Sequence, residues 1–255
     1  MGYVIMKSLR FYSFLAAFLV LVAGALAAAH ASSSSMAHTV GSDTSELNYV
    51  FRQAWGKENL PLSYPNNVAI ARDKTLYVAD GYDNVLIAIS QGENTTRIVW
   101  DGGMGYEGCS GSTYNLTGLA LDDQDNIYLF DKQSCALLKL DKNGKELARW
   151  GHGGSEAGGF SAPHGIAIHG SRVYVADYGN NRIQVFDLNG VYQYQWGATG
   201  SAAGEFYGPE GIAVDELGNI YVTDSGNQRV QKFDSAGNYL SHWTINGQYA
   251  YPGAI

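Results

Sequence analysis

Basic residues are scarce in this 255-residue chain. There are 16 Lys and Arg against 24 Asp and Glu, a formal net charge of −8. An acidic surface repels phosphate backbones, and Arg172, Arg182 and Arg229 stand singly rather than in a patch, so nucleic acid is excluded as a partner. Cysteine is nearly absent: Cys109 and Cys135 are the only two, and no Cys-x-x-Cys pair exists, which argues against thiol redox catalysis. Histidine is thinly spread over His30, His38, His152, His164, His169 and His242, with no metal-ligand spacing. No 3.6-residue hydrophobic period of useful length follows residue 45, which excludes a helical architecture.

What is present is a ruler of tryptophans: Trp55, Trp100, Trp150, Trp196 and Trp243, spaced by 45, 50, 46 and 47 residues. A period in the forties marks a stack of similar supersecondary units. Behind each Trp the chain repeats four short runs rich in β-branched and aromatic residues. In the fourth unit these are Pro209 to Asp215, Ile220 to Asp224, Gln228 to Asp234 and Tyr239 to Trp243. The third runs in step with it, from Ala162 to Gly197. The first (Pro65 to Trp100) and second (Leu116 to Trp150) are looser, and the second carries Leu116 where the others have proline. Asp-x-x-Gly turns at Asp141, Asp187, Asp215 and Asp234 separate the runs: Asp bonds its own backbone and Gly accepts positive φ. Hairpin-linked strands at this spacing predict four-stranded antiparallel sheets, one per unit, which is the pattern of propeller blades.

The stretches Pro209-Glu-Gly-Ile-Ala-Val-Asp and Gly218-Asn-Ile-Tyr-Val-Thr-Asp-Ser-Gly-Asn-Gln-Arg-Val-Gln-Lys-Phe-Asp resemble the NHL-repeat family of β-propellers. The resemblance covers roughly residues 48 to 255, as a fixed-period repeat should, and implies six blades around a central channel. The fold class expected is therefore all-β, an NHL-type propeller with four full blades (about 57–100, 101–150, 151–196 and 197–243) and partial ends. Tyr251–Ile255 aligns with the opening of another blade, and Tyr49 to Gly56 with a lone outer strand. The expectation is a truncated six-bladed ring lacking roughly 35 to 80 residues.

The N-terminus carries a second signal. Lys7 and Arg10 precede the uncharged stretch 11–29, and Ala29-His30-Ala31 offers small residues where a signal peptidase reads. Residues 1–31 read as a secretory signal, 32–46 as a flexible tether, and 47–255 as the propeller. The chain is then secreted or extracytoplasmic; it touches a membrane only if residues 11–29 stay uncleaved as an anchor. Loss of Lys7 and Arg10 takes the net charge from −8 to −10. A Cys109–Cys135 disulfide fits an exported protein, both loops emerging on one blade face. Asn94 and Asn115 fit the glycosylation sequon.

Candidate chemistry follows from what differs between units. Asp80, Asp131, Asp177 and Asp224 end the second strand of every unit and read as structural, bonding the next turn or pairing with Arg182 and Arg229. Asp122–Asn126 is acidic enough to suggest calcium, but it lacks the spacing and closing Glu of a calcium loop. The position after the blade-opening proline varies: Asn66, Thr117, His164, Glu210 and Gly253. A ring of unlike polar groups at the channel mouth is where a ligand would bind. His164 and Glu210 come from neighbouring units and could form an acid/base or metal pair. Ala162-Pro163-His164 is similar to strand openings of the peptidyl-hydroxyglycine amidating lyases, a resemblance that implies zinc held by histidines from three alternate blades. Here those positions are Asn66, His164 and Gly253, and a zinc site needs three protein ligands. The reading that results is an exported scaffold module binding a protein or small molecule at a propeller face. The alternative is a propeller enzyme, lyase or hydrolase, with His164 and Glu210 at its site.

Overall fold

The computed structural model describes residues 62–90, 96–102, 116–131, 133–245 and 253, all within one compact unit, Gly56–Ile255. The expected signal, tether and outer strand before residue 57 lie outside them, as do Cys109, Asn94 and Asn115. Four antiparallel sheets of four strands follow one another along the chain. Blade one is β1 (Pro65–Ile70), β2 (Leu76–Asp80), β3 (Val85–Ile89) and β4 (Thr96–Asp101). Blade two is β5 (Leu116–Leu121), β6 (Ile127–Asp131), β7 (Ala136–Leu140) and β8 (Glu146–Trp150). A short parallel pair, β9 (His152–Gly153) and β10 (Gly159–Phe160), leads into blade three. That blade is β11 (Ile166–His169), β12 (Arg172–Asp177), β13 (Arg182–Asp187) and β14 (Tyr192–Trp196). Blade four is β15 (Pro209–Val214), β16 (Ile220–Asp224), β17 (Arg229–Phe233) and β18 (Tyr239–Thr244).

Each sheet is a meander with its strands in chain order. The inner strands β1, β5, β11 and β15 lie side by side in the same direction, in a propeller arrangement. The core lies between blades. Tyr77, Leu86 and Ala88 pack on Leu119, Leu129 and Leu138. Tyr128, Phe130 and Leu137 meet Val173, Val175 and Phe186. Tyr174, Ile183 and Val185 meet Ile212, Val222 and Phe233. The middle strands are buried on both faces, which is why β2 and β6 are apolar runs closed by Asp rather than alternating sequences. Outer strands such as β14 alternate between half-buried and exposed residues.

The tryptophan ruler has a packing cause. Gly190, in the outer turn of blade three, sits under the Trp150 ring; a Cβ there would lie 2.5 Å from Cδ2. Gly237, in the same turn of blade four, sits under Trp196, with a Cβ at 2.7 Å. Both glycines have left-handed φ, 86° and 85°, so turn geometry and blade stacking demand the same residue. Trp243 stacks instead on Tyr221 and is 50% exposed.

One feature was not expected from the sequence. Single 3-10 turns, Tyr178–Asn180 and Ser225–Asn227, join β12 to β13 and β16 to β17. In blade two Leu116 takes the place of the opening proline and pairs with Asp131 as Pro65 does with Asp80.

Candidate functional site

Antiparallel pairing brings the start of each inner strand beside the turn between the second and third strands. One face of the blade set therefore carries the strand openings, these turns and the loops between blades. The other carries the Asp-x-x-Gly turns. On that second face the leading aspartates of the turns are taken up locally, while Asp123 and Asp125 bond Arg72 of blade one. Asp215 accepts the Leu217 and Asn219 amides and the Asn219 and Tyr221 side chains. Asp234 does the same with Ala236 and Asn238. Asp122, the calcium candidate, accepts the Gln124 and Asn126 amides and the Asn126 and Tyr128 side chains, with Lys139 Nζ at 3.6 Å.

The opening face is held by a buried clamp. Asp177, fully buried, accepts the Ser161 amide at 2.8 Å and Arg182 Nε at 2.8 Å. Burial pushes its carboxyl above the ordinary value, while the Ser161 amide, Asn180 and Arg182 draw it down. The Arg182 guanidinium also donates to the carbonyls of Ser155, Glu156 and Gly159, and Gln184 donates to Gly159. Blade four repeats this with Asp224, Arg229 and Gln231 on Ser201, Ala202 and Glu205. The loops entering blades three and four are thus fixed through their own backbone oxygens. Blade one has Val85 and Ile87 at the Arg and Gln positions, and Asp80 accepts the amides of Ser63, Tyr64, Tyr82 and Asp83.

Of the five varying positions after the strand openings, Gly253 accepts Thr223 Oγ1 through its carbonyl at 2.7 Å, and the other four divide into two kinds. Asn66 Nδ2 donates to the Leu116 carbonyl at 2.8 Å, and Thr117 Oγ1 to the Pro163 carbonyl at 2.9 Å. Both tie their blade to the next. His164 and Glu210 come together instead, with Nδ1 and Oε1 3.7 Å apart and both side chains about a quarter exposed (28% and 23%). That separation is beyond a hydrogen bond. Tyr178, in the 3-10 turn, stacks on the His164 ring at 4.8 Å between centroids and 26° between planes. Ser225, in the equivalent turn of blade four, donates to Glu210 Oε2 at 2.9 Å. Tyr207 projects from the loop entering blade four, 60% exposed, with its ring against Gly226. Tyr82 stands 56% exposed on the same face of blade one.

Sequence reasoning paired His164 with Glu210 but missed Tyr178, Tyr207 and Ser225. Their signal was available: they occupy loop positions where the otherwise matching third and fourth units differ. Among the described residues no group of three or more His, Cys, Asp or Glu is placed to hold a metal. Cys135 closes the turn between β6 and β7 with φ 55°, its Sγ beside Gly153. His169 and His242 stand apart from the pair, His242 bonded to Tyr239 OH at 2.6 Å.

The NHL repeat family model matches residues 160–186 and 206–233. These two segments are NHL repeats. Each runs from the end of the loop entering its blade to the third strand, so it contains the clamp's side chains, the strand opening and the 3-10 turn. No curated protein matches the chain in sequence. In fold, the NHL-repeat chain is similar to a catalytically inactive variant of virginiamycin B lyase from Staphylococcus aureus with quinupristin. The TM-score is 0.56 and the identity 13%, over 74% of this chain and 58% of the lyase. It is also similar to a chain of a nidogen/laminin complex, with TM-score 0.54 and 17% identity, over 72% of this chain and 65% of the other. A streptogramin B lyase structure matches at TM-score 0.51 and 14% identity. The chain spans less than two thirds of the first two, and the likeness is one of fold. Among the described residues no helix is long and apolar enough to cross a membrane.

Proposed function

We propose that this NHL propeller is a binding module whose partner docks on the opening face, centred on the seam between blades three and four. The observation that carries the reading is the contrast between the two faces. On the turn face the Asp187, Asp215 and Asp234 carboxylates are closed on their own turns, Asp123 and Asp125 bond Arg72 of the neighbouring blade, and the exposed apolar residues Ile70, Val191 and Leu217 stand on separate blades. The opening face presents Tyr82 of blade one and Tyr207 of blade four to solvent, together with a quarter-exposed His164–Glu210 pair. Tyrosine gives large contact area at small conformational cost and is enriched at interfaces. The blade-four clamp fixes the loop that carries Tyr207, and the Tyr82 amide is held by Asp80, so little ordering is needed on binding. A protein partner is favoured, in keeping with the propeller seen in the nidogen/laminin complex.

The test is selection of peptides from a display library against the full chain. Peptides that occupy the opening face lose affinity by about tenfold or more on Tyr207→Ser and are indifferent to Leu217→Ser. Peptides indifferent to both Tyr207→Ser and Tyr82→Ser contradict the assignment.

A second reading makes the His164–Glu210 pair an acid/base couple of a lyase or hydrolase, the fold being shared with two lyase structures. It requires turnover that His164→Ala abolishes. A bound zinc or calcium belongs to this reading and is checked by metal analysis of the purified chain. The binding reading places the chain outside the cytoplasm, with residues 1–31 removed, Cys109 bridged to Cys135 and Asn94 and Asn115 open to glycosylation. Intact mass before and after reduction tests all of these.

A further inference from the structure

We propose that Glu210 is the receptor for a single organic cation, the guanidinium or ammonium group of a basic ligand, with Tyr178 and Tyr207 as its aromatic walls. The proposal rests on the binding reading of the opening face and names the chemistry bound there.

Three observations converge. First, Glu210 is oriented but not neutralised. Ser225 Oγ, from a residue only 1% exposed, holds Oε2 at 2.9 Å. Oε1 faces His164 Nδ1 at 3.7 Å and lies beside Gly253, where a Cβ would stand 3.9 Å away, and among the described residues no Lys or Arg pairs with the carboxylate. The other two acids in the repeat's buried positions, Asp177 and Asp224, each have an arginine, so Glu210 is the half-buried acid of this seam without a guanidinium. Second, aromatic rings pack on the residues that adjoin it. Tyr178 is fixed by stacking on His164 and by Gly208, where a Cβ would lie 2.8 Å from the ring. Tyr207 is three residues before Glu210 and packs on Gly226, the neighbour of Ser225. A carboxylate beside tyrosine faces attracts a cation through both its charge and the ring quadrupoles. Third, the chain is acidic throughout, with a net charge of −8, which steers cations toward it. The two glycines are what admit the rings: a side chain at Gly208 or Gly226 would displace Tyr178 or Tyr207.

The experiment titrates the full chain with N-acetyl-arginine amide and N-acetyl-lysine amide, followed by ligand-observed NMR. The neutral isostere N-acetyl-citrulline amide is the control. Arginine or lysine amide is expected to bind, and citrulline amide and the Glu210→Gln variant to weaken binding by about tenfold or more. Melting of the variant checks that it stays folded, and Tyr207→Leu is a second variant that keeps the bulk but removes the ring. A blocked Ala-Arg-Ala tripeptide that binds tighter than arginine amide assigns the site to a peptide side chain; equal binding shows that the cationic group alone is read. Equal binding of citrulline amide, or arginine amide binding that survives Glu210→Gln, overturns the proposal. So does zinc or magnesium chloride perturbing His164 while arginine amide does not bind. If selected peptides bind through Tyr82 and Tyr207 whatever their charge, the cation assignment falls and the binding module stands. If no selected peptide responds to either tyrosine, both fall.

Discussion

Gly165 shows how tightly one residue ties sequence to blade stacking. A Cβ there would stand 2.6 Å from the Glu210 carbonyl and 3.0 Å from the Ile212 amide, both backbone atoms of the next blade. Gly118 at the same position of blade two, where a Cβ would lie 2.5 Å from the His164 carbonyl, likewise lets neighbouring inner strands approach, whereas blade one has Asn67 there. Gly165→Ala is expected to cost about 1–3 kcal/mol, read by urea unfolding, because backbone rather than a flexible side chain must move. A change below about 0.5 kcal/mol would contradict this packing. The adjacent residue is free to vary because it faces the mouth. Comparing units therefore separated Gly165 from His164 at the level of sequence. It did not separate Asn66 and Thr117, which bond the next blade, from His164 and Glu210, which do not, because a hydrogen bond to a carbonyl leaves no trace in residue type.

The elements that matter most for the opening face are the two clamped loops. Arg182 joins Asp177 to three loop carbonyls, and its side chain is nearly buried. Arg182→Ala strands Asp177 and those oxygens together. A loss of about 3–5 kcal/mol is expected, with amide exchange rising first in the 151–161 loop; a loss below about 1 kcal/mol would mean that water replaces the guanidinium. The recurring Asp, and its pairing with Arg182 and Arg229, were legible in the sequence. The loop oxygens were not, since loop shape is set by tertiary contacts. The strands were legible through β-branched runs and turn residues; the 3-10 turns were not, because one turn carries no periodicity. The Asp-x-x-Gly turns make a separate prediction. The Lys145 amide holds the Asp141 carboxyl below its usual 3.8, and the Asn219 and Asn238 side chains do the same for Asp215 and Asp234. A depressed folded pKa adds stability above the unfolded value, and that stability is lost as pH falls through the folded one. Melting temperature should fall below about pH 4, and the fall should be smaller in the Asp141→Asn, Asp215→Asn, Asp234→Asn variant. Asp177, shifted upward, acts in the opposite sense and is unchanged in that comparison, so the difference isolates the turns. Equal acid limbs in the two proteins would contradict the assignment.

At the scale of the whole molecule, repetition builds the frame and departure from it makes the site. Blades three and four share clamp, opening and turn, yet place Tyr178 and Ser225 at one matching position and His164 and Glu210 at another. The tryptophan spacing gave away the architecture because one packing contact, Trp on the next blade's turn glycine, recurs at every step seen between blades two, three and four. The ligand chemistry lay beyond that reach, since it depends on which unlike side chains meet across a seam. The most direct test of the binding account is an amide chemical-shift map of the full chain titrated with a selected peptide. The account predicts shifts at His164, Tyr178, Gly208 and Gly226, with Gly144, Gly190, Gly218 and Gly237 on the opposite face unmoved. Shifts concentrated at those four turn glycines, with the blade three–four seam silent, would contradict it.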